Sequence, residues 1–288
     1  MRHKEAKIAS IFGILGNIFL FVIKIIVGFI SKSQAMIADA VNSGSDVFNS
    51  FMTLVGNKIA SKKADSDHNL GHGKAEYIFS MLISITMILA GAKILYESFM
   101  ALINDNKLIF SYTLIIVCII NIIIKFALYL YTNYVSKKYK NLLVKANSID
   151  HRNDCFITFF NLCAIILTKF NIKYVDGIVG ISISLYIIIS GIKIFKESYD
   201  VLMDKAMSLE TKKEVLEIIK NNKDIKGFRR FNATPVGYQY QISFTIFVDG
   251  NMSTYQSHQI ADDLEKEIIR KIDEIYLVVI HVNPYEEK

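Results

Sequence analysis

The chain has 288 residues, of which 52% are hydrophobic and 21% are charged, and its formal net charge is +6. Long apolar runs fill the first part of the chain and charges concentrate after it, so we predict a membrane domain at residues 1–205 and a small domain at residues 206–288. The three cysteines lie singly in apolar runs, which excludes a disulfide framework and a C-x-x-C zinc site. No basic stripe interleaved with aromatic residues occurs in the tail, so we expect no nucleic-acid partner and attribute the positive charge to topology and anionic lipid.

Six apolar runs approach or exceed the roughly 20 residues that a helix needs to span a bilayer, and they predict six transmembrane helices. The runs are residues 6–30, 34–60, 77–102, 108–135, 146–170 and 174–195. The first run is too long for the apolar part of a signal peptide, so we expect it to remain as a span. Lysine and arginine concentrate before the first run and after the second, fourth and sixth runs. The positive-inside rule therefore predicts that both termini are cytoplasmic.

The tail predicts the element order α-β-β-α-β. Its elements are a helix at 208–222, strands at 228–234 and 238–248 separated by a turn at Gly237, a helix at 253–271, and a strand at 275–282. Ser253 and Gln256 form a predicted capping box at the start of the second helix. This order suits a ferredoxin-like α+β domain with one open sheet face. Because so small a core buries little surface, we expect a homodimer formed through this domain.

Two pairs of oxygen-bearing side chains interrupt the second and fifth runs: Asn42 with Asp46, and Asp150 with Asp154. A charged group at membrane depth costs roughly 2.5 to 3.5 kcal/mol on insertion scales, so three carboxylates invite a functional explanation. Residues four apart share a helix face, and the four side chains would converge on one cavity if the two helices pack together. Amide and carboxylate oxygens suit a harder cation such as Mn²⁺, whereas Zn²⁺ prefers a nitrogen ligand.

Simpler interpretations remain open for single members of this set. An Asn or Asp in a transmembrane helix often forms only an interhelical hydrogen bond, which is the role we expect for Asn17, Asn49 and Asn121. Asp150 could instead lie in a loop, because residues 151–153 after it are polar. Two spaced pairs on separate helices favour a metal site over these alternatives.

A second polar cluster lies in the loop between the second and third runs. It contains Asp65, His68 and His72, and glycines at positions 71 and 73 allow a tight backbone path around His72. We predict that these three residues form a cytoplasmic metal site. The alternative is a solvated loop whose histidines bind no ligand.

These motifs resemble those of the cation diffusion facilitators, a family of proton-coupled exporters of divalent metals. The resemblance lies in A-D-A-x-N-S-x-S-D at residues 38–46, G-H-G-K-A-E at residues 71–76 and A-N-S-x-D-H-x-x-D at residues 146–154. It implies a transport site at Asn42, Asp46, Asp150 and Asp154. Zinc-moving members usually have a histidine at the position of Asp150, so the set looks like that of the bacterial manganese-exporting branch.

The resemblance also implies accessory sites. The loop triad matches a metal site of the family, and His258 and His281 match two ligands of a zinc cluster in the tail. Phe244 stands where a histidine is common, so we expect at most a weak site there. Lys74 and Asp204 match a salt bridge that the family places between the membrane and soluble halves, where it would set a hinge or dimer geometry.

Together these features predict a secondary transporter of the plasma membrane rather than an enzyme. We expect export of Mn²⁺ in exchange for protons by alternating access, with divalent cations, protons and lipid as partners and no organic cofactor. One alternative is an exporter of Zn²⁺, Fe²⁺, Co²⁺ or Cd²⁺ from the same family. The other is a membrane-anchored metal sensor or scaffold.

Overall fold

The computed structural model describes residues 1–31, 34–104, 112–167 and 175–285. These residues form two compact units. The first comprises residues Met1–Lys62 and Ala75–Tyr199, and the second comprises Lys63–Lys74 and Asp200–Lys288. The loop between the second and third helices therefore groups with the tail rather than with the helices it connects.

Six long helices account for the first unit, the last of them extending slightly beyond it. They are α1 (Arg2–Ser31), α2 (Gln34–Ala60), α3 (Ala75–Asn104), α4 (Tyr112–Lys138), α5 (Leu142–Leu167) and α6 (Val175–Leu202). Within the described ranges, three helices are long and apolar enough to cross a membrane: Arg2–Ile30, Ala75–Met100 and Tyr112–Lys138. Three of the six predicted runs thus form helices of sufficient length and apolarity, and the six spans stay a prediction.

The fifth helix begins four residues before the predicted run, at Leu142. Its first turn is capped by Asn141, whose side-chain oxygen accepts a hydrogen bond from the amide of Val144 at 2.8 Å. Asp150 consequently lies two turns inside the helix, and the alternative that it belongs to a loop is wrong. The polar residues that follow it continue the helix, and His151 and Asn153 are buried.

Polar side chains join the helices of the first unit, and Asn17, Asn49 and Asn121 all form interhelical hydrogen bonds, as predicted. Asn17 on α1 donates to the backbone oxygen of Asp46 on α2 at 3.1 Å. Asn121 on α4 donates to the hydroxyl of Thr158 on α5 at 2.6 Å. Between apolar helices such hydrogen bonds fix register and rotation, since each unpaired polar group would be costly there.

Near the N-terminus of α1, a buried ion pair joins three further chain segments. Arg2 pairs with Glu76 of α3 at 2.5 Å and also donates to the backbone oxygen of Tyr139 at 3.0 Å, between α4 and α5. The second carboxylate oxygen of Glu76 accepts the amide of Leu142 at 2.7 Å. We call Arg2, Glu76 and Leu142 the helix-end clasp. It ties the ends of α1 and α3 to the start of α5.

The second unit contains the predicted α-β-β-α-β order. Its elements are α7 (Leu209–Asn221), β1 (Gly227–Val236), β2 (Gln239–Asp249), α8 (Thr254–Lys271) and β3 (Ile275–Tyr285). The sheet order is β1-β2-β3, with β1 antiparallel and β3 parallel to β2. The predicted alternation along β2 is confirmed, because Ile242, Phe244, Ile246 and Val248 are buried in the core that also holds the apolar faces of α7 and α8.

The loop of residues 63–74 packs against the turn between β1 and β2. A Cβ on Gly73 would lie 3.1 Å from the Cα of Gly237, and Gly237 itself has a φ of +71°. Both positions therefore need glycine, one for close approach of two backbones and one for its left-handed conformation. The G-H-G-K-A-E motif thus contributes to packing as well as to the candidate metal cluster.

Candidate metal site

Three carboxylates of the predicted transport site meet inside the first unit. Asp46 of α2 and Asp150 and Asp154 of α5 each have an oxygen within 4.8 Å of the others'. Asp46 and Asp150 are buried, and the side chain of Asp154 is 12% exposed. The spacing within each helix and the contact between α2 and α5 together produce this cluster, which offers a divalent cation hard oxygen ligands only.

Asn42, the fourth predicted member, lies one turn before Asp46 on α2. Its side chain is exposed, unlike those of the carboxylates. Its place as a ligand stays a prediction.

A lysine side chain lies between two of the carboxylates. The Nζ atom of Lys125 on α4 is 2.7 Å from Oδ2 of Asp46 and 2.5 Å from Oδ2 of Asp154. This side chain is only 1% exposed. It belongs to the buried face of α4 together with Asn121 and Leu128, which are spaced by three or four residues.

The remaining carboxylate is held by an amide. Asn49 of α2 donates to Oδ2 of Asp150 at 3.1 Å, and its own oxygen accepts a hydrogen bond from Thr86 of α3 at 3.0 Å. These two hydrogen bonds fix the orientation of the Asn49 amide, so that its NH₂ group faces the carboxylate of Asp150. Asp150 therefore has a neutral partner, whereas Asp46 and Asp154 share a cation.

The loop triad forms a second cluster, in the other unit. Oxygens of Asp65 lie 3.5 Å from Nδ1 of His68 and 3.5 Å from Nε2 of His72, and the two rings are 4.4 Å apart. The His68 amide donates to Asp65 at 2.8 Å and lowers the pKa of that carboxyl below its usual range. The triad is thus preorganised with the carboxylate charged, and two nitrogens with one oxygen suit a borderline cation such as Zn²⁺.

The tail histidines do not form a comparable cluster within the described residues. His258 on α8 and His281 on β3 are both exposed, and neither belongs to a group of three His, Cys, Asp or Glu side chains close enough to share a metal. Phe244, at the position where a histidine would complete the zinc cluster, is buried in the core and stacks on Phe231 with ring centroids 6.1 Å apart. A weak site at His258 and His281 stays a prediction.

The predicted salt bridge is present. Lys74 Nζ lies 2.8 Å from Oδ1 of Asp204, and both side chains are exposed. Both residues belong to the second unit, because the loop that carries Lys74 groups with the tail.

Sequence comparison decides the family. The cation efflux transmembrane domain matches residues 10–203, and the cytoplasmic domain of cation efflux proteins matches residues 207–285. The chain belongs to the cation efflux family. The resemblance to cation diffusion facilitators is thereby confirmed, and this cation efflux protein is an integral membrane transporter rather than an enzyme.

Relatives of this cation efflux protein include two manganese efflux proteins of Bacillus subtilis. MneP is 26% identical over 294 residues, covering 100% of this chain and 99% of the relative. MneS is 26% identical over 291 residues, covering 99% and 98%. Among solved structures, the metal-bound C-terminal domain of the CzcD transporter from Thermotoga maritima is 29% identical with a TM-score of 0.26, covering 26% of this chain and 88% of that domain.

Sequence reasoning missed two buried lysines in this cation efflux protein. Lys24 on α1 is buried and donates to the hydroxyl of Ser43 on α2 at 2.9 Å, and Lys125 lies at the carboxylates. Each interrupts a run of isoleucine and phenylalanine far from the loops. Their positions could have identified both lysines as functional candidates, because an ammonium group inside an apolar span needs a partner.

Proposed function

We propose that this protein exports a divalent cation, with Mn²⁺ preferred, from the cytoplasm in exchange for protons. The ion would enter between α2 and α5, bind Asp46, Asp150 and Asp154 with Asn42, and leave after the helices change their exposure to the two sides. Carboxylates suit such an exchange because they bind either a metal or protons.

The observation that supports this proposal is the convergence of three buried carboxylate oxygens within 4.8 Å of one another. No imidazole belongs to this cluster in the described part of the chain, and oxygen-only sets favour Mn²⁺ over Zn²⁺. The names of the manganese efflux relatives agree with that preference. Zn²⁺, Fe²⁺, Co²⁺ and Cd²⁺ remain the alternative cargoes.

The remaining parts of the proposal concern placement. We propose six spans in a bacterial-type plasma membrane with both termini cytoplasmic, based on the lysines and arginines that flank the helices. We also propose a homodimer that forms through residues 206–288, where apolar residues such as Tyr276 and Val279 are exposed. The transport unit would then be residues 1–205.

The test is Mn²⁺ flux into sealed vesicles that contain the purified full-length protein, with and without an imposed pH gradient. We expect flux that rises with the gradient, and a loss of at least about tenfold in Asp46→Asn and in Asp154→Asn, since even outer-shell changes at metal sites cost that much. Each variant removes a ligand charge while keeping the shape of the side chain.

The matched control is Asp262→Asn, which makes the same chemical change in an exposed ion pair on α8. It should transport like the wild type. Full activity in Asp46→Asn or Asp154→Asn would refute the transport site. Metal binding without any flux in the wild type would favour the sensor alternative, for which the Asp65, His68 and His72 triad would be the binding site.

A further inference from the structure

Lys125 is in an unusual position for a lysine in an apolar helix. Its Nζ lies 2.7 Å from Asp46 on α2 and 2.5 Å from Asp154 on α5, so one ammonium group from α4 joins two other helices. The side chain is almost fully buried and lies on the buried face of α4. Its contacts are with the same carboxylates that the proposed function assigns to the metal.

A divalent metal and this ammonium group would need the same space. Oxygen ligands lie about 2.0 to 2.6 Å from hard divalent cations, and Nζ lies 2.5 and 2.7 Å from two of the oxygens in question. Two cations sharing these oxygens would also repel each other strongly, because little water is present to screen their charges. Lysine can vacate the position since its charge lies at the end of a flexible four-carbon chain.

Resting on the proposed function, we propose that Lys125 is a tethered cation that competes with the transported metal for Asp46 and Asp154. When the metal enters, the ammonium group moves off these oxygens; when the metal leaves, it returns to them. Lys125 is thus a positioning residue that sets metal affinity and release, not a ligand.

This competition has two consequences for transport. First, each binding event includes the displacement of Lys125, so the metal is held less tightly than three carboxylates alone would hold it and can leave on the far side. Second, the carrier that has released its metal keeps a positive charge among its carboxylates. Burying these carboxylates without any cation would be far more costly. Lys125 therefore lowers the cost of returning the metal-free carrier to its cytoplasm-facing state.

The test is Mn²⁺ binding to the purified full-length protein by isothermal titration calorimetry. Lys125→Met removes the charge and keeps the chain length, and we expect the Kd for Mn²⁺ to fall by about tenfold or more. Mn²⁺ flux in vesicles should fall in the same variant, because tight binding slows release. Lys125→Arg keeps the positive charge and should therefore bind Mn²⁺ more weakly than Lys125→Met does.

A purely structural ion pair predicts the opposite sign, since its loss would loosen the carboxylates and weaken binding. An unchanged or raised Kd in Lys125→Met would therefore overturn the proposal. If Lys125→Met does not fold, Lys125→Gln provides the same comparison, because it also removes the charge and keeps a hydrogen-bond donor.

Asn121→Ala is the matched control. Asn121 lies one turn earlier on the same face of α4 and bonds to Thr158 of α5 at 2.6 Å, without touching a carboxylate. Its Kd should stay within about threefold of the wild type. Equal tightening in Asn121→Ala would trace the effect to looser helix packing and refute the proposal. A wild type that neither binds nor moves Mn²⁺ would refute the proposed export of Mn²⁺, whereas normal binding with no tightening in Lys125→Met would refute only the role of Lys125.

Discussion

Asp150 differs from the other two carboxylates in its partner. It accepts a hydrogen bond from the neutral amide of Asn49 at 3.1 Å, while Asp46 and Asp154 contact Lys125. Replacing this residue therefore changes one ligand without removing the partner of a buried cation. That makes position 150 suited to a test of metal preference.

Asp150→His should shift the preference from Mn²⁺ towards Zn²⁺. An imidazole nitrogen is a better ligand for Zn²⁺ than for Mn²⁺, so we expect the ratio of the two affinities to move by about tenfold or more. Calorimetric titration of wild type and variant with both metals measures the ratio. Because a general loss of binding cancels in a ratio, an unchanged ratio would show that Asp150 does not contact the cargo.

At the level of single residues, the sequence predicted the carboxylate cluster but not its cation. The spacing along α5 places Asp150 and Asp154 on one helix face. The contact between α2 and α5 then brings Asp46 close to both of them. Lys125 could be recognised from its apolar surroundings as a residue in need of a partner. Its partners belong to two other helices, and no spacing along the chain encodes that arrangement.

Among the elements, α8 begins with a capping box. Ser253 accepts the amide of Gln256 at 3.3 Å, and the Gln256 side chain accepts the amide of Ser253 at 2.9 Å, which confirms the predicted capping box. The signal was local, since both partners lie within four residues of each other. Such local chemistry is what sequence patterns encode most directly.

Ser253→Ala should loosen the first turn of α8. Loss of an N-cap costs about 1 kcal/mol, so amide hydrogen exchange of the first helical turn should accelerate by about fivefold in the full-length protein. Ser257→Ala is the control, because that hydroxyl donates to the backbone oxygen of Thr254 inside the helix, at 3.1 Å, and does not cap the helix. Equal exchange rates in both variants would contradict the assigned cap.

Helix boundaries were harder to predict where a polar residue caps the helix or where polar residues continue it. The start of α5 lay beyond the apolar run because Asn141 caps it, and hydropathy does not detect a cap. Likewise, the polar residues around Asp150 made a loop a reasonable alternative. They are helical because other helices surround them, and a single sequence does not contain that information.

For the molecule as a whole, the helix-end clasp connects three helices of the first unit. Glu76 is 2% exposed and binds both the Arg2 side chain and the Leu142 amide. Through these contacts α1, α3 and α5 are fixed to one another at their ends. Buried ion pairs are costly to break because the remaining charge loses its partner.

Glu76→Gln should therefore destabilise the first unit by about 3 to 5 kcal/mol, because Arg2 loses a buried counter-charge. Thermal unfolding of the detergent-solubilised full-length protein measures the change. Glu197→Gln serves as the control, since Glu197 forms an exposed pair with Lys145 that should contribute only about 0 to 1 kcal/mol. Similar shifts in the two variants would show that the clasp contributes no more than a surface pair.

The order of the described elements could be predicted, since long apolar runs indicate the first six helices and local periodicity indicates the elements of the tail. The grouping of the 63–74 loop with the tail could not, because it depends on the approach of Gly73 to Gly237, 164 positions apart in the sequence. The sequence shows both glycines, but it does not show that they lie next to each other in the fold.

That approach of two glycines bears on how the chain can be dissected. A truncation after residue 205 would deprive the 63–74 loop, which carries the triad of Asp65, His68 and His72, of the hairpin against which its backbone is packed. Impaired transport in such a shortened protein could then result from the disturbed loop as well as from the loss of the C-terminal domain. Intact chains with single changes at Gly237 would separate the two causes.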